Sequence, residues 1–365
     1  MKSSGRNVAL LHYWLTNMRG GENVLEEFCR IWPEADIYTH AYAPERISDT
    51  INSHRVNCTF INWLPHADTG CQKYLPLMPL ALKRLDLSAY DLIISSESGP
   101  VKGINKPRGS SHICYCHSPM RYLWDMYDEY YRNAGVAGKI AMSLFKNPLR
   151  RYDLKSAETV DHFIANSHFV AERIKRIYRR DSTVIHPPVD VDFFTQGNYA
   201  KGDYYLFAGQ LIPYKRPDLA IAACERMNRK LIIAGDGSMR RELEKNSGRN
   251  VTFTGRLQRE KLRELYAGAK ALIFPGIEDF GIIPLEAQAA GTPVIALGEG
   301  GALETIIPDK TGMFFDRPEI ECLCNAIEAF EAKTFSADYL AAHAGKFSTE
   351  RFRAEMNNFP ASQNR

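Results

Sequence analysis

The sequence predicts an α/β protein built as two doubly wound halves, and three observations carry that expectation. Short apolar runs rich in Val, Ile, Leu, Phe and Tyr alternate with helical stretches, the pattern of parallel strands joined by crossover helices. The alternation runs once, stops at a Pro-Pro pair, and starts again. The length, 365 residues, exceeds one ordinary domain and suits two.

In the first half, the strand-like runs fall at residues 8–12, 36–39, 91–96, 112–117 and 162–167. A loop holding Gly20 and Gly21 follows the first run, then a helical stretch over 22–31, and a further helix is expected over 167–178. The second series lies at 204–209, 230–235, 251–255, 271–275 and 293–296. Between them, His186-Pro187-Pro188-Val189-Asp190 cannot continue a helix and reads as a hinge. The expected division is a Rossmann-like domain over 1–187 and a second over 188–345, with 346–365 packing back on the first. Ligands of such folds bind beyond the carboxyl ends of the strands, so the cleft between the facing halves is the expected site.

Composition narrows the function class. Hydrophobic residues make up 45% and charged residues 24%, a globular balance that excludes wholesale disorder. A net charge of +3 gives no nucleic-acid footprint. No apolar run approaches the ~18–20 residues that span a bilayer. The first residues lead directly into the strand at Val8, so no secretory leader is expected. The eight cysteines lack metal or redox spacing, as expected for reduced thiols of a cytoplasmic protein. Residues 139–151 and 74–84 mix apolar and basic side chains, which suits peripheral contact with the inner face of the cytoplasmic membrane.

The sharpest chemical signal runs from Pro275 to Ala287. Glu278 and Glu286 flank a turn and a helix start, with Pro284 in the first turn, where its missing N–H costs nothing. Free amides around Gly281 and Ile282 would cradle a phosphate, and a carboxylate can take two hydroxyl hydrogen bonds from a ribose or hexose. Gly209 ends a strand and Lys215-Arg216 follows, placing positive charge where a diphosphate leaving group would need it. Gly235-Asp236-Gly237 and Thr254-Gly255-Arg256-Leu257 end two further strands, weak signals on their own. In the first half, Gly20-Gly21 permits close backbone approach to a ligand, and His117 with Arg121 and Tyr122 follows a strand end. His12 and His186 read as structural. Asp190-Val191-Asp192 has the letters of a metal-binding pair but sits in the hinge, where a cap is expected.

Together these residues resemble the signature of retaining glycosyltransferases with the GT-B fold, family 4-like, in which two glutamates are separated by seven residues, here Glu278 and Glu286. Residues 209–215, 235–237, 254–256 and 304–306 fall in that family's order. The stretches His12-Tyr13-Trp14-Leu15, Gly20-Gly21-Glu22, residues 116–122 and Pro213-Tyr214-Lys215-Arg216 resemble bacterial GDP-mannose-dependent mannosyltransferases of O-antigen or exopolysaccharide synthesis.

The resemblance implies transfer of a hexose from a nucleotide-sugar donor to a glycan or lipid-linked acceptor. By it, Glu278, Lys215 and His117 form the catalytic set. Gly20, Gly21, Gly209, Gln210, Lys215, Arg216, Arg256, Leu257, Phe280, Gly281, Ile282 and Glu286 bind the donor, and Arg121 and Tyr122 meet the acceptor. No metal or other cofactor is expected, since lysine and helix amides would replace the ion. Gln210 stands where the family commonly has arginine. A UDP-sugar donor, or a non-catalytic nucleotide- or glycan-binding subunit, are the alternatives.

Overall fold

The computed structural model describes residues 6–197 and 200–362. The chain forms two compact units, one reaching His186 and including the chain from Arg353 on, the other spanning Pro187–Phe352.

The first unit is a seven-stranded parallel sheet: β1 (Val8–His12), β2 (Asp36–Thr39), β3 (Val56–Cys58), β4 (Leu92–Glu97), β5 (Ser111–Cys116), β6 (His162–Ala165) and β7 (Ser182–Val184), in spatial order β3-β2-β1-β4-β5-β6-β7. The second holds six parallel strands: β8 (Tyr205–Ala208), β9 (Leu231–Ala234), β10 (Val251–Gly255), β11 (Leu272–Phe274), β12 (Val294–Leu297) and β13 (Gly312–Phe315), in order β10-β9-β8-β11-β12-β13. In each sheet the order reverses beside the first strand, the doubly wound pattern.

Central strands are buried on both faces, which is why they read as continuous apolar runs. β1 and β4 are buried along their whole length. In the second sheet the side chains alternate between two cores. Tyr205, Phe207, Leu231, Ile233, Ile273 and Ile295 face the helices Pro217–Arg226 and Ile320–Glu331, while Leu206, Ala208, Ala234, Leu272, Phe274 and Ala296 face the helix Ile282–Ala289.

Three strands escape the sequence pattern: β3, β7 and β13. All are sheet edges of three or four residues, and β3 and β7 have no fully buried residue. Gly20 and Gly21 are not a loop but the first turn of the helix Gly20–Ile31. A Cβ on Gly21 would lie 2.7 Å from the Tyr13 hydroxyl, so close approach, not a turn, requires the glycine there. From Arg353 on, the chain belongs with the first unit, where Arg353 bonds Glu27 and Phe359 meets the edge of the His162 ring. Residues 346–352 belong with the second. Among the described residues no helix is long and apolar enough to cross a membrane.

Candidate active site

The second unit gathers its chemistry at the carboxyl ends of its strands. Gly209 follows β8 with φ +141° and Gly235 follows β9 with φ +147°, a region side chains rarely adopt. A Cβ on Gly235 would stand 1.8 Å from the Gly209 carbonyl oxygen, so the two strand-end turns touch through backbone alone. Gly276, after β11, is pressed onto the backbone of Tyr214 and Lys215 in the same way, its Cβ position 2.6 Å from the Lys215 Cα. These contacts bring the β8 loop against the β11 loop and set Lys215 beside Glu278.

There Lys215 Nζ donates to Glu278 Oε1 at 2.5 Å, with side-chain exposures of 11% and 19%. The low exposure matters: a pair this sheltered is less screened than a surface one. Glu278 is held from behind by the loop 298–301, where Gly301 N–H donates to its carbonyl at 2.9 Å. A Cβ on Gly301 would fall 2.2 Å from the Phe280 Cα.

The helix Ile282–Ala289 begins just after this pair. Its N-cap is Gly281, at φ +103°, which has no side chain to satisfy the first-turn amides. Those amides carry the positive end of the helix dipole three residues after Glu278, chemistry that suits an anion. Pro284 is the third helical residue, where no intrahelical partner is lost. Further along, buried Gln288 donates to the Thr305 carbonyl at 2.8 Å and meets His343 Nδ1 at 2.8 Å, anchoring the helix to two neighbours.

Glu286 sits on the same helix and accepts from the Tyr266 hydroxyl at 3.0 Å. Burial pushes its carboxyl up to about 7, against the lowering effects of the Tyr266 bond and Arg259, and Asp190 pushes in the same upward direction as burial. Asp190 itself caps the short helix Val191–Thr195 and pairs with Arg259 at 2.7 Å.

Other predicted donor residues are placed differently. Arg216, in the left-handed region at φ +54°, turns to Asp218 through three hydrogen bonds of 2.9–3.1 Å. Of the two adjacent cations, Lys215 is therefore the one committed to Glu278. Gln210 is exposed, and its carbonyl accepts from Ile212 N–H. Arg256 is exposed and Leu257 half-buried, both beyond β10; Phe280 is buried and Ile282 half-buried.

In the first unit, Gly21, Tyr13, His12 and His117 converge. A Cβ on Gly21 would come within 3.5 Å of the His12 ring and 3.6 Å of His117 Nε2. His117 Nε2 lies 2.8 Å from Ser96 Oγ, and its carbonyl accepts from Asn166 at 3.0 Å. Burial, then the neighbouring His12, holds the His117 ring far below the usual imidazole range, at about 3. Arg121 is half-buried. The Tyr122 hydroxyl donates to Met120 Sδ at 2.9 Å within its own loop, and its ring meets Tyr130 edge-on.

Tyr266, Gln288, Thr305, Ser96 and His12 are supporting residues that sequence reasoning did not single out as functional. Each lies in a separate element from the group it holds, and no spacing rule reaches across such gaps.

This fold is a GT-B-type architecture. Residues 18–193 match the family model described as Glycosyltransferase Family 4, and residues 189–347 match the one described as Glycosyl transferases group 1. Each half of the chain thus resembles a different glycosyltransferase family model. The chain is 31% identical over 195 residues to a D-inositol 3-phosphate glycosyltransferase of Mycobacteroides abscessus, covering 47% of this chain and 44% of that protein. The chain thus spans about half the length of the curated relatives it matches. Its fold is that of HepE from Anabaena, solved in complex with UDP-glucose (TM-score 0.72, 17% identity, 97% of this chain and 99% of that one). It is also that of a sucrose-phosphate synthase from Thermosynechococcus elongatus (TM-score 0.72, 18% identity, 98% and 99%).

Proposed function

We propose that this chain transfers a hexose from a nucleotide diphosphate donor to a glycan or lipid-linked acceptor in cell-surface polysaccharide synthesis, with retention of anomeric configuration. The donor we favour is GDP-mannose, on the resemblance of residues 12–15, 20–22, 116–122 and 213–216 to mannosyltransferases. The observation that carries the transferase reading is the sheltered Lys215–Glu278 pair next to the uncapped helix start at Gly281. A departing diphosphate needs positive charge and aimed amides. Lys215 and the first-turn amides offer both without a divalent ion. Glu278 then orients the donor sugar, and the leaving phosphate takes the acceptor's proton. His117 is the first-unit residue that the family resemblance assigns to the transferred sugar.

A UDP-sugar is the second reading, and the UDP-glucose complex of the similarly folded HepE supports it. Thermal shift separates the two. We expect GDP to raise the melting temperature more than UDP at equal concentration, and GDP-mannose to be hydrolysed faster than UDP-glucose. Stabilisation by UDP alone would move the assignment to a UDP-sugar. No response to either nucleotide, and no hydrolysis, would leave a non-catalytic glycan binder.

Glu286 gives a pH signature. Its carboxyl titrates at about 7 in the folded protein against an ordinary value of 4.5. Between those values the folded state keeps a proton that the unfolded state has released, so this group's contribution to stability falls as pH rises through that window. Ribose hydroxyls donate to a carboxylate, so donor binding expels that proton. Nucleotide affinity is expected to climb with pH up to about 7 and level off above it. Calorimetry near pH 6 in buffers of different ionisation enthalpy should register proton release, and E286Q should abolish both effects.

Peripheral contact with an anionic membrane is also proposed. On the helix Val136–Glu158, exposed Val136, Ile140 and Leu144 recur every four residues and form one stripe. Residues 132–151 contain Arg132, Lys139, Lys146, Arg150 and Arg151 and no acidic residue. Such a face suits an anionic bilayer surface. Co-sedimentation with phosphatidylglycerol vesicles is expected, with loss in about 1 M salt, where the Debye length is ~3 Å. The double variant I140E/L144E should weaken it at least about tenfold, the loss of two buried apolar side chains. Equal sedimentation with neutral vesicles would count against the proposal.

A further inference from the structure

Behind His117 lies a line of buried polar groups that the sugar-transfer reading does not use. Ser96 Oγ sits between two imidazoles, 2.8 Å from His117 Nε2 and 3.2 Å from His12 Nδ1. The far nitrogen of His12, Nε2, faces Glu22 Oε1 at 3.6 Å. His12 is 0% and Glu22 2% exposed, and His12 Nε2 and Glu22 Oε2 have no hydrogen-bond partner. Glu22 is the third residue of the helix Gly20–Ile31, where the dipole favours a carboxylate.

A hydroxyl has one proton, so Ser96 can donate to one of the two rings and must accept from the other. The choice is made at the far end. A lone pair on His12 Nε2 aimed at a buried carboxylate would be repulsive at low dielectric, whereas an N–H there is attractive. A doubly protonated His12 would draw the carboxylate into a charge-assisted bond of about 2.7–2.9 Å. The separation is 3.6 Å, and no such bond is present. Neutral His12 therefore carries its proton on Nε2 and a lone pair on Nδ1. Ser96 donates to that lone pair and accepts from His117 Nε2–H.

We infer that Glu22, His12 and Ser96 form a buried relay that fixes the tautomer of His117, leaving its Nδ1 as an unprotonated acceptor. Because the ring is held neutral, the tautomer alone decides whether Nδ1 accepts or donates. An accepting Nδ1 suits a sugar hydroxyl, which donates to it; a protonated Nδ1 would reject that hydroxyl. Ser96, His12 and Glu22 are thus positioning residues. Their use in transfer rests on the reading proposed above, while the tautomer itself does not.

The test is long-range 1H–15N NMR on the full chain with 15N-histidine, His117 being assigned by loss of its signals in H117Q. The expected wild-type pattern is Nε2–H with a free Nδ1. In S96A and E22Q, His117 should shift to a mixture of tautomers. Donor hydrolysis should then fall about ten- to a hundredfold in kcat with KM changed less than about twofold, the span of a mispositioned catalytic group. S96T, which keeps the hydroxyl, should restore the wild-type pattern. A wild-type His117 protonated on Nδ1, or a tautomer unmoved by both S96A and E22Q, would overturn the relay. A tautomer that shifts as expected in a chain that hydrolyses no nucleotide-sugar would uphold the relay and overturn the transferase reading instead.

Discussion

Replacing Lys215 by alanine is expected to lower donor turnover by about 10²- to 10³-fold, the loss seen when one preorganised group facing a developing anion is removed. The reason lies in the scarcity of positive charge around the pair. Arg216 is turned to Asp218, and Gln210 carries no charge. Lys215 therefore has no neighbour in its own loop ready to replace it. Its ammonium is already paired with Glu278, so on the proposed reading a diphosphate has to share the lysine with that carboxylate. K215A also strands Glu278, whose carboxylate would then repel the diphosphate, and both kcat and nucleotide affinity should fall. K215A/E278Q removes the stranded charge and should regain part of the affinity but not the turnover. Steady-state donor hydrolysis alongside calorimetric titration with GDP and UDP separates the two effects. Wild-type turnover in K215A would remove Lys215 from the mechanism.

The second large effect concerns stability. Lys102 is fully buried in the first unit, donating to Glu97 Oε1 at 2.8 Å and Asp153 Oδ1 at 2.5 Å, with its backbone N–H on Glu97 Oε2 at 2.9 Å. Tyr178 and Trp124 also donate to Asp153. Burial opposes the ammonium, but Asp153 and Glu97 outweigh it and hold Lys102 well above its ordinary range. The cluster ties the end of β4 to the long helix Val136–Glu158, to the segment after β5 and to the helix His168–Tyr178. K102M leaves two carboxylates buried without their cation, and breaking a buried pair from one side costs about 3–5 kcal/mol. Denaturant unfolding should show that deficit at pH 7.

The pH dependence has a definite sign. Burial already holds Glu97 above the usual carboxylate range even with Lys102 present. Without the lysine, the folded state binds a proton on Glu97 that the unfolded state releases. The deficit should therefore be largest at neutral and alkaline pH and shrink as pH falls and Glu97 is neutralised. K102M/E97Q/D153N, which removes all the charges together, should be more stable than K102M. A K102M deficit independent of pH would mean that packing, not stranded charge, sets the cost.

The two predictions rest on different kinds of information. The long apolar runs at β1, β4, β8 and β12 are visible in sequence because a strand buried on both faces needs no polar alternation. The edge strands β3, β7 and β13 are not, because three or four partly exposed residues carry no periodicity. The two-unit organisation follows from the Pro187-Pro188 break, which a helix cannot cross.

For the site, the sequence determined which residue types stand in the turns and helix starts that follow strands: Lys215, Glu278, Gly281, Glu286, Gly20, Gly21 and His117. Spacing of that kind is local, set by strand length and turn chemistry. The tertiary structure decided who pairs with whom. Lys215 meets Glu278 across 63 residues, Tyr266 holds Glu286 across 20, and Ser96 joins His12 and His117 across 84 and 21. Parallel crossovers bring remote strand ends side by side, and glycine backbones such as those of Gly235 and Gly276 let the loops touch. Charge balance, burial and tautomer arise from those contacts between segments far apart in the chain. A one-dimensional reading names the donors and acceptors, and only the fold fixes which of them share a proton.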